Sequence, residues 1–528
     1  MAPKPSKPKP FTIPYTLFMI ALTLFTFHYL RQIRDDFQVR ATQGKLVTSI
    51  RPEWLNFAMR EFGEERTINV GFVNTDEIRA EGVKTGTVDF DMVGADDIKW
   101  SELFPSWIDE SSPSGCPRIP MPEFRDYREL DVVVARVPSE ESGDLRSVFR
   151  LQVNLVVANL LVRSGRKDGP VFAVFIGSGG PMWEIFRCDD LLWNVGETWV
   201  YKPDLERIKQ KVVMPVGSCQ ISPPFSQSGE EQLRSKNHYI RQPKEAYVTV
   251  LHSSESYVCG AIALAQSIIQ TNSTKDLVLL ADEHITPHSI QGLRSAGWKI
   301  KRIKRIRSPH SKKYAYNEWN YSKLRIWQLK GYDKVMFIDS DFIVTKNIDK
   351  FFVYPQISAS GNDGHIFNSG LMVVEPSACT FETLMRKRFT VESYNGGDQG
   401  FLNEMFPWWH RLPAKLNWLK FFGSGREYAQ RIPDDTHAIH YLGLKPWWCY
   451  RDYDCNWDKI EAQQFASDSA NEKWWDVYDN MPKELREYCS LTPEMDGNIR
   501  RYRERARNAS LPDGHWKIEI KDERRNFM

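Results

Sequence analysis

Two kinds of apolar patterning divide the chain. Residues 11–30, FTIPYTLFMIALTLFTFHYL, form one run without Asp, Glu, Lys or Arg. Its length matches the roughly 20 residues that cross a bilayer, and no small-residue cleavage site follows it. The run predicts an uncleaved signal anchor, with a tail at 1–10 and a stem at 31–50. Lys4, Lys7 and Lys9 precede it and Arg31 and Arg34 follow, so positive charge leans weakly towards a cytosolic N-terminus. The remainder is then lumenal.

Downstream the runs shorten to globular length. Residues 51–230 contain strand-like INVGFV and VFAVFIG (171–177), separated by a Pro- and Ser-rich loop near 101–125. They show no catalytic constellation, and the polar stretch 222–243 marks a linker. From Tyr247 the order becomes regular. YVTVL (247–251), DLVLLAD (276–282) and KVMFID (334–339) read as buried strands. WKIKRIKRIR (298–307) alternates Ile with basic residues, a strand with one apolar face. Residues 257–270, 287–296 and 321–330 read as helices. Strands alternating with helices predict an α/β domain over 245–460 with a mostly parallel, Rossmann-like sheet, followed by an extension at 461–528. No GxGxxG follows the first strand, which disfavours a nicotinamide dehydrogenase.

Composition changes this picture little. The 528 residues suffice for two folded units. Lys and Arg total 70 against 68 Asp and Glu, so bulk charge gives no reason to expect a nucleic-acid partner. The eight cysteines suit an oxidising lumen, and Cys449 and Cys455 are close enough to bridge. Without a CxxC pair a zinc ribbon is disfavoured. Sequons stand at Asn272, Asn320 and Asn508. The basic run 299–307 reads as a solvated strand face. For the pairs Trp408-Trp409 and Trp447-Trp448, strand alternation predicts one buried and one exposed ring each.

The chemistry concentrates where an apolar strand ends in Asp339-Ser340-Asp341. Carboxylates two residues apart on an extended strand face the same side. At the carboxyl end of a parallel strand they stand where open α/β sheets bind ligands. Such charge is costly to bury without a cation, and a hard divalent ion would also bridge a diphosphate. Further on, HYLGLKPWW (440–448) offers His440 as a nitrogen ligand, which shifts the preference from Mg²⁺ towards Mn²⁺. Lys445 is placed to neutralise a diphosphate.

Together with Phe367-Asn368-Ser369-Gly370 and Gly396-Gly397-Asp398-Gln399-Gly400, these motifs resemble the family-8 retaining glycosyltransferases, the group that contains glycogenin. The likeness spans about 245–450. The anchor, the long N-terminal region and KPWWCYRDYDCNWD (445–458) are similar to the plant glycogenin-like proteins, among them the Golgi xylan α-glucuronosyltransferases. The resemblance implies a GT-A fold, Mn²⁺ on Asp339, Asp341 and His440, and Tyr257 against the uracil. It implies Lys323 and Lys445 at the diphosphate or donor sugar, and Asn368, Asp398 and Gln399 along the sugar. Ser340, Ser369 and Gly443 go with the donor-binding motifs, and Asp398, Gln399 and Lys445 with catalysis. One departure is that Lys445 follows His440 by five residues where six is common in the group, so the loop over the diphosphate is shorter.

The expected activity is transfer of glucuronic acid from UDP-glucuronate to xylan with α-linkage, by a single-pass type II protein of the Golgi membrane, alone, as a homo-oligomer or in a hetero-oligomer with other Golgi transferases. Asp398 either stabilises an oxocarbenium-like sugar or forms a covalent intermediate. The rivals are glucose transfer from UDP-glucose in a glycogenin-like reaction, and a catalytically silent scaffold. In the loop ASGNDGHIFNSG (359–370), Ser360 stands where glucose-using relatives place an acid. His365 is the lead candidate for selecting the glucuronate carboxylate, with Asp363 opposing.

Overall fold

The apolar runs of the first region pair into a six-stranded sheet, ordered β2-β1-β3-β4-β6-β5. Its strands are β1 (Ile68–Val73), β2 (Val83–Thr87), β3 (Val132–Arg136), β4 (Phe172–Ile176), β5 (Leu191–Val195) and β6 (Thr198–Tyr201). The first four are parallel, and β5 and β6 close one edge as an antiparallel hairpin. Neighbouring parallel strands need a crossover, and α2 (Val148–Arg163) supplies it between β3 and β4. It is buried almost all round, so its polar residues find partners. The Gln152 and Asn154 side-chain oxygens accept from the Val93 and Met182 amides, both at 2.9 Å. A shorter helix, α3 (Leu205–Val212), follows.

This computed structural model describes residues 51–527 except 64, 95, 112–114, 139–145, 223–242, 363–364 and 424–429. The predicted tail, anchor and stem, almost all of the predicted linker, and Asp363 lie outside the described residues. Among the described residues no helix is long and apolar enough to cross a membrane. The helix before the first sheet, α1 (Glu53–Phe62), belongs to a unit of its own, Met1–Glu64, while Glu65–Met528 form a second.

The second sheet has seven strands, ordered β14-β12-β13-β10-β7-β8-β9. They are β7 (Glu245–Leu251), β8 (Asp276–Ala281), β9 (Lys299–Arg302), β10 (Lys334–Ile338), β12 (Ser358–Gly361), β13 (Phe367–Val374) and β14 (His410–Leu412). The GT-A-like α/β character holds, but the sheet is mixed. Four of six pairings are parallel, and β13 runs against both neighbours, β10 and β12. α4 (Val258–Gln270) and α5 (Pro287–Ser295) connect β7, β8 and β9. Pro287 opens α5, and the Thr286 hydroxyl accepts from the Ser289 amide at 3.2 Å as its cap. The predicted 298–307 strand shrinks to four residues because β9 is an edge strand, with Lys299, Lys301 and Arg302 in solvent.

A small sheet of β11 (Phe342–Val344), β15 (Trp418–Leu419) and β16 (Ala438–His440) stands beside the end of β10. α6 (Ala378–Lys387) and α7 (Asp398–Met405) follow β13. The C-terminal extension adds α8 (Asp468–Asn480) and α9 (Pro493–Asn508).

One hydrophobic cluster runs through both sheets, from Val133, Val157 and Phe175 to Val248, Phe337 and Trp408. The first region is therefore a folded lobe packed against the second sheet. The Arg187 guanidinium pairs with the buried Glu375 at 2.8 Å, and the Arg411 guanidinium donates to the Pro105 carbonyl at 2.7 Å. All eight cysteines are bridged. Cys449–Cys455 forms as expected, Cys116–Cys219 lies in the first region, Cys188–Cys379 joins the two sheets' lobes, and Cys259–Cys489 ties α4 to the extension. The expected split of the Trp pairs fails at the first pair. Trp408 and Trp409 are both buried, donating to the Val216 and His365 carbonyls. They stand in the turn before β14, between the lobes, so strand alternation does not apply. Trp447 is buried and Trp448 half-buried on a 3-10 turn.

Candidate active site

Asp339 and Asp341 do not extend a strand. They form the turn between β10 and β11. The Asp339 amide donates to the Gly370 carbonyl at 2.8 Å, and the Asp341 carbonyl accepts from the Tyr441 amide at 2.9 Å. These bonds tie the turn to β13 and to the chain leaving β16. Since β11 pairs with β16 so that Phe342 faces His440, the imidazole arrives beside both carboxylates. One ligand atom each of Asp339, Asp341 and His440 lies within 4.8 Å of the others. α4 presses onto this turn at Gly260, where a Cβ would stand 2.5 Å from the Ser340 carbonyl oxygen.

His440 is oriented by a chain of amides. Its Nδ1 lies 3.1 Å from the Asn417 Oδ1, an acceptor, so Nδ1 carries the proton and Nε2 presents its lone pair. Asn417 donates to Asn368 Oδ1 at 2.9 Å, and Asn368 donates to Asn362 Oδ1 at 3.0 Å. Phe342 stacks on the imidazole at 4.2 Å. A hydrogen-bond partner on the far nitrogen is how proteins fix a metal-binding histidine.

Two lysines divide three carboxylates between them. Lys445 Nζ is 2.7 Å from Asp341, and also donates to the Tyr441 carbonyl. Lys323 Nζ is 2.6 Å from Asp398 and 3.3 Å from Asp339. The Ser369 hydroxyl donates to the same Asp398 oxygen at 2.8 Å. The Gln399 Oε1 accepts the Ser369 amide at 3.1 Å, which joins the FNSG and DQG motifs. Burial pushes the Asp339 carboxyl up, and Asp341 and Asp398 add to it against Lys323. Burial acts the same way on Asp341, but the Lys445 ammonium overcomes it and holds that carboxyl far below the usual range. Burial would lower Lys323, yet Asp339 and Asp398 keep it raised.

On the remaining side, Tyr257 stands edge-on to Trp447 and Trp448, with Lys445 Nζ 5.9 Å from its ring centre. Gly443 has a left-handed backbone, and a Cβ there would meet Asn456 Oδ1 at 2.4 Å. The turn before Lys445 is thus pressed against the 455–458 segment. At the ends of β7 and β8, the buried Asp282 accepts from the Ser253 amide at 3.0 Å, and burial lowers His252 to about 4. Of the described residues assigned to the site from the sequence, Ser360 and His365 stand apart from this cluster. The Ser360 hydroxyl is buried and donates to the Pro413 carbonyl at 3.2 Å, and His365 is exposed. From that loop it is Asn362 that joins the site's hydrogen bonds. Sequence reasoning also missed Asn417, which no local motif announces.

A family model, glycosyl transferase family 8, matches residues 248–356 and 352–449, and a second, the GUX1-5 N-terminal domain, matches 43–219. The chain is 52% identical over 501 residues to the putative UDP-glucuronate:xylan alpha-glucuronosyltransferase 4 of Arabidopsis thaliana, covering 90% of this chain and 89% of that one. The chain belongs to the family-8 glycosyltransferases. It is also 49% identical to UDP-glucuronate:xylan alpha-glucuronosyltransferase 2 of Arabidopsis thaliana, over 81% of this chain and 75% of the relative. Human glycogenin-2 is 28% identical over 48% of this chain and 56% of its own. The two family matches divide the sequence as the two sheets divide the structure, so the family-8 domain carries the whole cluster around Asp339.

Proposed function

We propose that this protein transfers glucuronic acid from UDP-glucuronate to xylan with retention, forming an α-linkage. The observation that carries this reading is the convergence of Asp339, Asp341 and His440 between Lys323 and Lys445, with Asp398 and Gln399 beside them. The names of the relatives supply the donor and acceptor.

Two carboxylates and an oriented imidazole fit a borderline divalent ion such as Mn²⁺. Bound there, it would act as a Lewis acid that neutralises the donor diphosphate. Three carboxylates against two ammonium groups leave the cluster short of positive charge, as a site for a cation should be. Lys445, and Lys323 from the other side, then stabilise charge on the departing diphosphate, an interaction that strengthens in the transition state. Tyr257 lines the donor cleft beside Lys445. Asp398 has one oxygen occupied by both Lys323 and Ser369, which favours an electrostatic role over attack on the anomeric carbon. In that course the bond from C1 to the UDP oxygen breaks as the xylan hydroxyl oxygen bonds to C1 on the same face. The departing phosphate takes the hydroxyl proton.

Four disulfides support an oxidising compartment, and with the charge-free run at 11–30 they favour a type II protein of the Golgi membrane with this domain in the lumen. The test is full-length protein with Mn²⁺, xylohexaose and a panel of UDP-sugars, the product linkage being read by NMR. An α-linked glucuronosyl product supports the assignment. A preference for UDP-glucose, or no transfer to xylohexaose, overturns it.

A further inference from the structure

Gln399 leads out of the site to an exposed ring. Its amide donates to the Tyr394 hydroxyl at 2.7 Å, and Tyr394 is 61% exposed. Tyr394 lies on the segment that enters α7. A second loop, residues 308–319, is fastened against that segment. The Ser308 hydroxyl donates to the Gly396 carbonyl at 2.7 Å, Asn317 Nδ2 to the Asn395 carbonyl at 2.6 Å, and His310 Nε2 to the Arg388 carbonyl at 2.9 Å. Gly396 permits the contact, for its φ is +67° and a Cβ would stand 2.9 Å from the His310 carbonyl oxygen.

The fastened loop carries Tyr314 and Tyr316, 85% and 86% exposed, the most exposed aromatic rings among the described residues. Their display is built in. Tyr314 has φ +66°, a left-handed backbone uncommon for a bulky residue. It is held there by its amide, which donates to the Glu318 carboxylate at 2.7 Å, and Glu318 is fixed by Arg307 at 2.8 Å. Lys313 Nζ lies 4.8 Å from the Tyr314 ring centre. Strained residues and exposed aromatic patches are features of ligand clamps.

We propose that Tyr394, Tyr316 and Tyr314 form the platform on which the xylan chain lies, Tyr394 nearest the reacting residue. The inference rests on the xylan reading of the proposed function. A β-linked xylose ring carries its hydroxyls around its equator, so both faces present C–H bonds suited to the negative face of an aromatic ring. A neutral polysaccharide also needs no counter-charge, whereas the anionic donor takes the lysine-lined pocket. The buried Trp408 and Trp409 cannot serve this purpose, and the exposed tyrosines can.

The test compares full-length wild type with Tyr314→Ala, Tyr316→Ala and the double variant, using UDP-glucuronate and xylohexaose. Each single change should raise the acceptor KM about 3- to 10-fold, and the double change more. Donor KM and the slow hydrolysis of UDP-glucuronate without acceptor should not move, and Tyr→Phe at either position should restore the wild-type acceptor KM. An unchanged acceptor KM in the double variant overturns the platform. So does a parallel rise in donor KM or a loss of donor hydrolysis, which would place the rings in the donor site or the fold. Failure of the wild type itself to use xylohexaose would instead refute the functional assignment, and the platform as a xylan site with it.

Discussion

Each sheet buries aspartate at a strand end, and the two ends are treated in opposite ways. Asp131, at the amino end of β3, is fully buried and saturated: Arg166 Nε lies at 2.6 Å, Arg66 Nη2 at 2.7 Å and the Asn69 amide at 2.9 Å. Near the carboxyl end of β10, the lysines and arginines among the described residues that pair with Asp339, Asp341 and Asp398 are Lys323 and Lys445, with His440 Nε2 3.4 Å from Asp341. A carboxylate provided with its own guanidinium groups has no capacity left for a ligand and serves the fold. Carboxylates that outnumber their cations, and face an imidazole with a free lone pair, are held ready for a cation from outside. Asp398 is buried like Asp131 while Asp339 and Asp341 are half-buried, so it is the count of partners that separates the two clusters.

The comparison breaks most sharply by neutralising one carboxylate of the second cluster. Asp339→Asn or Asp341→Asn should lower kcat on the order of 10²–10³-fold or more, while the Asp339 variant keeps or gains thermal stability, because it loses an anion that burial and its neighbours disfavour. Wild-type turnover with unchanged Mn²⁺ dependence would refute the metal assignment. Lys445→Ala should also cut kcat, with a smaller change in donor KM, since its stabilisation of leaving-group charge is made mainly in the transition state. An effect on donor KM alone would refute that role.

Asp131→Asn is the mirror image. It should cost about 3–5 kcal/mol of stability by leaving two guanidinium groups around a neutral amide, read as a shift in the denaturation midpoint. Activity per folded molecule should be unchanged, and a loss of specific activity at full folding would erase the distinction between the clusters.

Glu184 tests an intermediate case between the lobes, where a buried carboxylate accepts the Trp408 amide at 3.3 Å. Burial raises it from 4.5 to about 7. Below pH 4.5 it is protonated folded and unfolded alike, with no net effect. From 4.5 to about 7 the folded protein keeps a proton that the unfolded chain has released, so stability falls as pH rises and then levels off. The fall is on the order of 3 kcal/mol at most. Glu184→Gln should flatten melting temperature against pH in that window, and an unaltered slope would assign it elsewhere. The smallest expected effect is at Asn417. Asn417→Ala frees the His440 ring without removing a ligand, and should weaken Mn²⁺ binding roughly tenfold, measurable by calorimetry. Unchanged affinity would show that Phe342 alone orients the imidazole.

Much of the catalytic sheet was legible because its strands are short, apolar and separated by helices with local caps. The expected helices at 257–270 and 287–296 appear as Val258–Gln270 and Pro287–Ser295. The antiparallel β13 was not legible, since an apolar run that is buried on both faces carries no sign of its direction. Of the first sheet, β1 and β4 were legible as INVGFV and VFAVFIG, but β2 and β5, half-exposed edges with little periodicity, were not.

The sequence by itself determined which chemistry was present. Asp339-Ser340-Asp341, the DQG at 398–400 and the segment from His440 to Lys445 are local signals, written in residue type and spacing. Only the tertiary structure decided how many partners each charge has, because partners come from distant strands. It set Asn417 behind His440 across β15 and β16, and gave Asp398 to both Lys323 and Ser369. It also buried Trp408 and Trp409 between lobes while turning Tyr314 and Tyr316 outward. Aromatic rings look alike in a sequence, and only the packing of one segment on another settles which are core and which can meet a ligand.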